Sequence, residues 1–163
     1  MDDIVSLAAH ADRRVAVRGG KVVAGGLSML IPQWFGGRPV PAASLGCGCV
    51  APEDRGEHIA GRLTDERLRP MRERGAVLAT LWTASASYVR RMGWEVPTQA
   101  HSWTVPTDAL RRRFDGSDFE IQHGETEQLP PLRVSLAARW NGAWQRPAWW
   151  PDWQQRRHPG LAA

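Results

Sequence analysis

No apolar run in this sequence approaches the roughly 20 residues that a membrane-spanning helix requires, so a helical span is not expected. The start, Met1-Asp2-Asp3, is acidic and lacks the basic n-region of a secretory signal, which makes the cytoplasm the expected location. Cysteine is scarce, with two in 163 residues, so a disulfide framework is excluded as the source of stability. The two, Cys47 and Cys49, fall in one strand-like run. Alternate residues of a strand are held about 7 Å apart, beyond comfortable disulfide reach, and buried free thiols are expected. No further Cys or His stands at ligand spacing from them, and His10, His101, His123 and His158 show none among themselves, so no metal site is expected. Ser85 and Ser87 lack the flanking glycines of a hydrolase nucleophile elbow. Internal repeats are absent.

What remains is an ordinary globular composition. Hydrophobic residues make up 42% and charged ones 23%, in a chain about one domain long and able to bury a core unaided. The formal charge of +4 points to anionic partners. A phosphate-rich cofactor and a nucleic acid both satisfy it.

Pattern gives the organisation. Val15-Ala16-Val17 and Lys21-Val22-Val23-Ala24, joined by Arg18-Gly19-Gly20, predict a β-hairpin whose second strand runs on to Ile31. Pro32, Gly36-Gly37, Pro39 and Pro41 predict a loop, and a third strand follows over 42–50. Helical spacing of Ile59, Leu63, Leu68 and Met71 predicts a helix over 59–74, closed by Gly75 and kinked or shortened by Pro70. Residues 76–82 read as a buried strand, 86–92 as a short helix, and strands are expected after Glu95 and over 101–105. Helices follow over 107–113 and 132–144, with a strand at 119–121. Strand, helix, strand in succession is the crossover that builds parallel pairing, so the fold is expected to be mixed α/β, of α+β type. Five of the nine tryptophans lie between Trp140 and Trp153, interleaved with Arg139 and Arg146. Stacking on single-stranded nucleic acid is one reading of them, although Pro147 and Pro151 interrupt any continuous platform. Packing onto the domain, with self-association through the remainder, is the favoured reading.

The most informative segment is Cys49-Val50-Ala51-Pro52-Glu53-Asp54-Arg55-Gly56-Glu57-His58-Ile59-Ala60. It sets a strand end, a turn and a helix start in succession. Unpaired N–H groups at a helix start carry about half a positive charge and can hold a phosphate. Arg55 adds a fork of donors suited to phosphate oxygens, and Gly56 allows close backbone approach.

This segment resembles the pyrophosphate signature Q/R-x-x-G-x-G/A of GCN5-related (GNAT) N-acetyltransferases, with Arg55 first and Ala60 last. Gln33-Trp34-Phe35-Gly36-Gly37-Arg38, Val50-Ala51-Pro52-Glu53, Arg72-Glu73-Arg74-Gly75-Ala76 and Arg90-Arg91-Met92-Gly93-Trp94-Glu95 resemble its enhanced-intracellular-survival subfamily in order and spacing. Trp140-Asn141-Gly142 and Arg146-Pro147 resemble the opening helix of that subfamily's second GNAT-like lobe. The resemblance implies the GNAT acyl-CoA N-acyltransferase fold, a twisted mixed sheet flanked by helices. It implies a GNAT acetyl-CoA-binding domain over 1–114, and over 115–163 a linker with the start of a truncated second lobe.

The implied activity is acetyl transfer from acetyl-CoA to a primary amine, on a small cationic molecule or a lysine side chain. By the same resemblance Gly48, Cys49 and Val50 line the pantetheine. Gly56, Glu57, His58, Ile59, Ala60 and Gly61 cradle the pyrophosphate beside Arg55, and Ala84 and Ser85 flank the cofactor.

Two positions depart from the pattern. The family's central loop glycine is His58 here, whose imidazole either pairs with the pyrophosphate or obstructs it. The family's general-acid tyrosine stands four residues before the glycine of the Gly-aromatic pair, which in this chain is Val89; Tyr88 lies one position earlier. One residue is about 100° of helix rotation, so either a local slip brings Tyr88 into place or the acid is missing. The subfamily's catalytic C-terminal carboxylate is expected to be missing from this chain. An inactive remnant that binds CoA or serves in assembly is therefore the alternative expectation.

Overall fold

The computed structural model describes residues 7–98, 101–113 and 129–157. Two compact units divide the chain: Met1–Trp82 with Pro131–Ala163, and Thr83–Pro130.

The first unit is built on a sheet of four strands, β1 (Asp12–Arg18), β2 (Lys21–Leu30), β5 (Ala42–Val50) and β6 (Leu78–Leu81), in the order β1-β2-β5-β6. β1–β2 and β2–β5 are antiparallel, whereas β5–β6 is parallel. The parallel pair is joined through helix α1 (Ile59–Glu73), as a parallel pair must be joined by a crossover. Between β2 and β5 the chain makes a two-stranded excursion, β3 (Gln33–Phe35) and β4 (Arg38–Val40). The expected loop here is a hairpin because Gly36 and Gly37 both take positive φ, +55° and +75°, which a two-residue turn of this kind needs.

The core lies between α1 and the sheet. Val23, Ala24, Leu27, Met29 and Ile31 of the β2 region are buried, with Ala42, Ala43 and Leu45 of β5 and Leu63 and Met71 of α1. The inward stripe of α1 is Leu63, Arg67, Met71, spaced i, i+4, i+8. Sequence periodicity placed Leu68 in that stripe; Leu68 is only half-buried, and Arg67 occupies the buried position. The expected shortening at Pro70 does not occur, since the helix continues to Glu73. Gly75 closes it with φ +93°, donating to the Arg72 carbonyl at 2.9 Å.

The C-terminal part of this unit packs on the β3–β4 hairpin. Helix α4 (Leu129–Ala137) ends earlier than expected, because the chain turns at Asn141-Gly142, where Gly142 has φ +86°. Gly142 then donates to Trp34 O (2.7 Å), Trp34 to Ala143 O (2.8 Å) and Gln145 to Pro32 O (2.8 Å). Helix α5 (Trp150–Arg157) follows.

Four of the clustered tryptophans meet there. Trp150 is 5.4 Å from Trp144, 5.6 Å from Trp149 and 4.9 Å from Trp153 between ring centroids, and His10 stacks on Trp149 at 4.1 Å. Trp153 is buried and Trp140 exposed. These ring contacts accord with the packing of the tryptophans onto the domain.

The second unit carries α2 (Ala86–Arg90) and α3 (Thr107–Arg113). Residues 94–98 and 101–106 form no strand, contrary to expectation; Trp103 and Val105 are exposed and no neighbouring strand among the described residues pairs with them. The strand expected at 119–121 lies outside the described residues.

Candidate functional site

β5 outlasts its partner. Its pairing with β6 covers Ala42↔Leu78 to Leu45↔Leu81 and stops, while β5 continues to Val50. At the same point β5 bulges. Between the pairs Leu27↔Gly46 and Gly25↔Cys49 two β5 residues, Cys47 and Gly48, oppose the single Gly26. Cys47 takes φ +53°, a conformation that costs a side-chain-bearing residue about 1 kcal/mol or more. The result is a stretch of β5 backbone, running from Gly46 to Val50, that pairs with no strand on its β6 side among the described residues. Cys47, Gly48 and Cys49 are exposed there. The expectation of buried thiols is thereby corrected: both cysteines are free and open to solvent, because the sheet that would have covered them parts at the bulge.

The chain leaves β5 through a short 3-10 turn, Pro52–Asp54, and reaches α1 through Arg55, Gly56, Glu57 and His58. Gly56 has φ +88°, with nothing within 4 Å of where a Cβ would stand. His58 takes φ +57° and ψ +17°, the left-handed conformation that glycine occupies readily, and forms the N-cap of α1 without any side-chain cap. The first turn of α1 has no acidic residue. Its leading N–H groups, including those of Ile59, Ala60 and Gly61, therefore begin a helix whose positive end is left uncapped.

The acidic residues of the loop are tied elsewhere. Lys21 pairs with Glu53 at 2.8 Å, and Arg18 bonds Asp54 at 3.0 Å and both oxygens of Glu57. Hydrogen bonding and charge from Glu57 raise Arg18 above the ordinary arginine value, and Glu53 does the same to Lys21. In return Arg18 and Lys21 hold Glu57 and Glu53 below the usual carboxylate range. Arg55 stays free of ion pairs among the described residues, as does Arg62 one turn into the helix. The Arg55 Nε donates to Val50 O at 3.3 Å, which steadies its exposed side chain beside the strand end. A patch of uncompensated cations and free helix N–H groups thus faces solvent at the end of an open strand edge, an arrangement suited to a phosphate-bearing ligand with an extended tail.

The structure brings Gly48, Cys49, Val50, Arg55, Gly56, Glu57, His58, Ile59, Ala60 and Gly61 into this one strand–turn–helix element, with the Glu57 side chain turned to Arg18. Ala84, Ser85 and Tyr88 belong to the other compact unit. There Ala84 and Ser85 are exposed at the start of α2, and the Ser85 N–H donates to Thr83 Oγ1 at 3.0 Å. Tyr88 is exposed, with the Arg91 guanidinium 5.7 Å from its ring centroid, whereas Val89 is buried.

Sequence reasoning missed Arg67 and Arg18. Arg67 is signalled only by its i, i+4 place between Leu63 and Met71. Its burial lowers it from the ordinary arginine value, while Cys47 and Cys49 act in the opposite sense. No sequence signal pairs Arg18 with a loop 36 and 39 residues further on.

Comparison with known proteins agrees with this architecture. The Acetyltransferase (GNAT) domain model matches residues 1–97, so the chain belongs to that family. It is 31% identical, over 124 residues, to an uncharacterized N-acetyltransferase of Streptomyces avermitilis, a match that takes in 71% of this chain and 30% of the relative. Among solved structures it is similar to an aminoglycoside N-acetyltransferase in complex with CoA, with a TM-score of 0.53 and 16% identity over 64% of this chain and 82% of the other. It is also similar to the glucosamine-6-phosphate N-acetyltransferase of Arabidopsis thaliana, with a TM-score of 0.51 and 16% identity over 64% and 74% of the two chains. These two likenesses are likenesses of fold.

Proposed function

We propose that this chain forms the cofactor-binding part of an acetyl-CoA-dependent N-acetyltransferase that acetylates a primary amine, on a small cationic molecule or a lysine side chain. The observation that carries the reading is the open β5 edge, Gly46–Val50, leading directly into the uncapped N-terminus of α1. The donor set fits a pyrophosphate: free helix N–H groups, Arg55, and a loop whose Gly56 leaves space where a Cβ would stand. The β5 edge fits a pantetheine, which has amides able to pair with exposed strand backbone. Acetyl-CoA would supply an activated acetyl thioester; the task of the chain is to hold it extended and in line with an amine. Family membership and the CoA complex of a neighbour with the same fold support this choice of donor.

Within the family, we assign the chain to the enhanced-intracellular-survival type. The Trp34-Phe35-Gly36-Gly37 and Trp140-Asn141-Gly142 segments that carry that likeness are neighbours in the structure. Gly36 N–H donates to Asn141 Oδ1 at 2.9 Å, and Gly142 N–H to Trp34 O. Trp140, left exposed, is the residue through which copies of the chain would associate. A cytoplasmic location accords with this chemistry; no helix among the described residues is long and apolar enough to cross a membrane.

A second reading, a catalytically silent CoA-binding module, is favoured by one observation. Val89, at the position of the family's acid, is buried, and Tyr88 beside it is exposed. Loss of a general acid slows transfer by about 10²- to 10⁴-fold. The test is acetyl-CoA-dependent release of free thiol in the presence of diamines or a lysine-containing peptide, comparing the parent with Tyr88→Phe. Release that falls in Tyr88→Phe supports the transferase with Tyr88 as its acid. Binding of acetyl-CoA without release above the amine-only rate selects the silent module.

A further inference from the structure

One ionised side chain lies inside the fold without a carboxylate. Arg67 is 4% exposed, and no ion pair reaches it among the described residues. Burying a guanidinium without a counter-charge is costly, and its Nε is left without a partner. Its other bonds are specific. Nη2 donates to the carbonyls of Leu27 on β2 and Gly46 on β5, the latter at 2.7 Å. Leu27↔Gly46 is the pair that borders the β5 bulge. A Cβ at Gly26 would stand 2.6 Å from the guanidinium carbon, and one at Gly48 would stand 3.2 Å from Nη1. The guanidinium therefore lies against the backbone of both strands at the bulge, in room that two glycines leave.

We infer that Arg67 is a positioning residue that holds the β5 bulge, and through it the Gly48–Val50 backbone, in the conformation that receives the pantetheine arm of coenzyme A. The inference rests on the acetyl-CoA reading above. A strained residue such as Cys47, with φ +53°, keeps its conformation only where the surroundings over-determine it. Arg67 supplies that constraint by bridging one carbonyl on each strand beside the bulge. An apolar residue of equal length would fill the space and leave the bridge unmade. Arg67 reaches the cofactor only through the strand it holds.

The test separates the two halves of the cofactor. Parent, Arg67→Met and Gly26→Ala are titrated calorimetrically with CoA and with 3′-phosphoadenosine 5′-diphosphate, the nucleotide half that lacks pantetheine, and thermal unfolding is followed in parallel. Gly26→Ala keeps the arginine but displaces its guanidinium, and it carries the test if Arg67→Met does not fold. Both variants are expected to bind CoA about tenfold more weakly while affinity for the nucleotide half changes by less than about twofold. A residue that merely supports the fold would move both ligands together. Equal weakening for both ligands, or none for either, overturns the inference and leaves the cofactor reading standing. A parent that binds neither ligand overturns the cofactor reading and the inference with it.

Discussion

Replacing His58 by glycine tests the loop at its most informative position. His58 sits at φ +57° and ψ +17°, as the N-cap of α1, with no side-chain cap bond. Left-handed backbone costs an L-residue with a Cβ about 1–2 kcal/mol, and glycine nothing. Against this, glycine adds freedom to the unfolded chain, worth about 0.4–1 kcal/mol. Because the exposed imidazole makes no hydrogen bond as a cap, little else is lost. The difference is a net stabilisation of about 0–1.6 kcal/mol, centred near 0.8. In a chain of this size that corresponds to a rise of up to roughly 6 °C in Tm, accompanied by a higher urea midpoint at unchanged slope. Removing the imidazole also clears the approach to the helix N–H groups, so affinity for CoA is expected to rise alongside stability. The assay is thermal and urea unfolding of parent and His58→Gly, without ligand and then with CoA. Destabilisation by about 1 kcal/mol or more would mean instead that the imidazole makes a stabilising contact exceeding the cost of its backbone.

Met71→Ala removes a fully buried side chain from the α1–sheet contact, and a loss of about 2–5 kcal/mol is expected in chemical unfolding. Acidification should release the loop. Arg18 and Lys21 depress Glu57 and Glu53, so the pairings contribute above the unfolded carboxylate value near 4.5 and are lost as pH falls below it. CoA affinity measured from pH 7 downward should decline in that lower range, more steeply at low than at high salt. Arg18→Ala should weaken CoA binding at neutral pH and lower Tm, because its pair with Glu57 is exposed but Asp54 is buried and loses its charge partner.

Much of this was legible because the local rules and the fold agree. The hairpin glycines, the α1 periodicity and Gly75 each specify an element by its own chemistry, and the strand–helix–strand order specifies the crossover. The loop from Val50 to Ala60 was legible as a helix start behind a strand, and the structure adds that His58 takes the left-handed backbone that glycine occupies readily. What escaped depends on partners distant in sequence. The β3–β4 hairpin looked like a loop because its prolines and short strands carry no alternation, and its third neighbour arrives only at Gly142–Gln145. The exposure of Cys47 and Cys49 follows from a bulge that a run of small residues does not announce. Arg67 in a buried stripe contradicts polarity patterning altogether; its place is set by the absence of side chains at Gly26 and Gly48 on two other segments. The strands expected after Glu95 and over 101–105 had apolar residues but, among the described residues, no partner to pair with.

A working acetyl-CoA site in the strand–turn–helix element from Gly48 to Gly61 would hold the cofactor's phosphates through Arg55 and the α1 N–H groups. Calorimetric titration of the parent and of Arg55→Ala with acetyl-CoA tests it most directly. Saturable one-to-one binding by the parent, weakened about tenfold or more in Arg55→Ala, is the predicted result. Absence of saturable binding in the parent and in His58→Gly alike would contradict it.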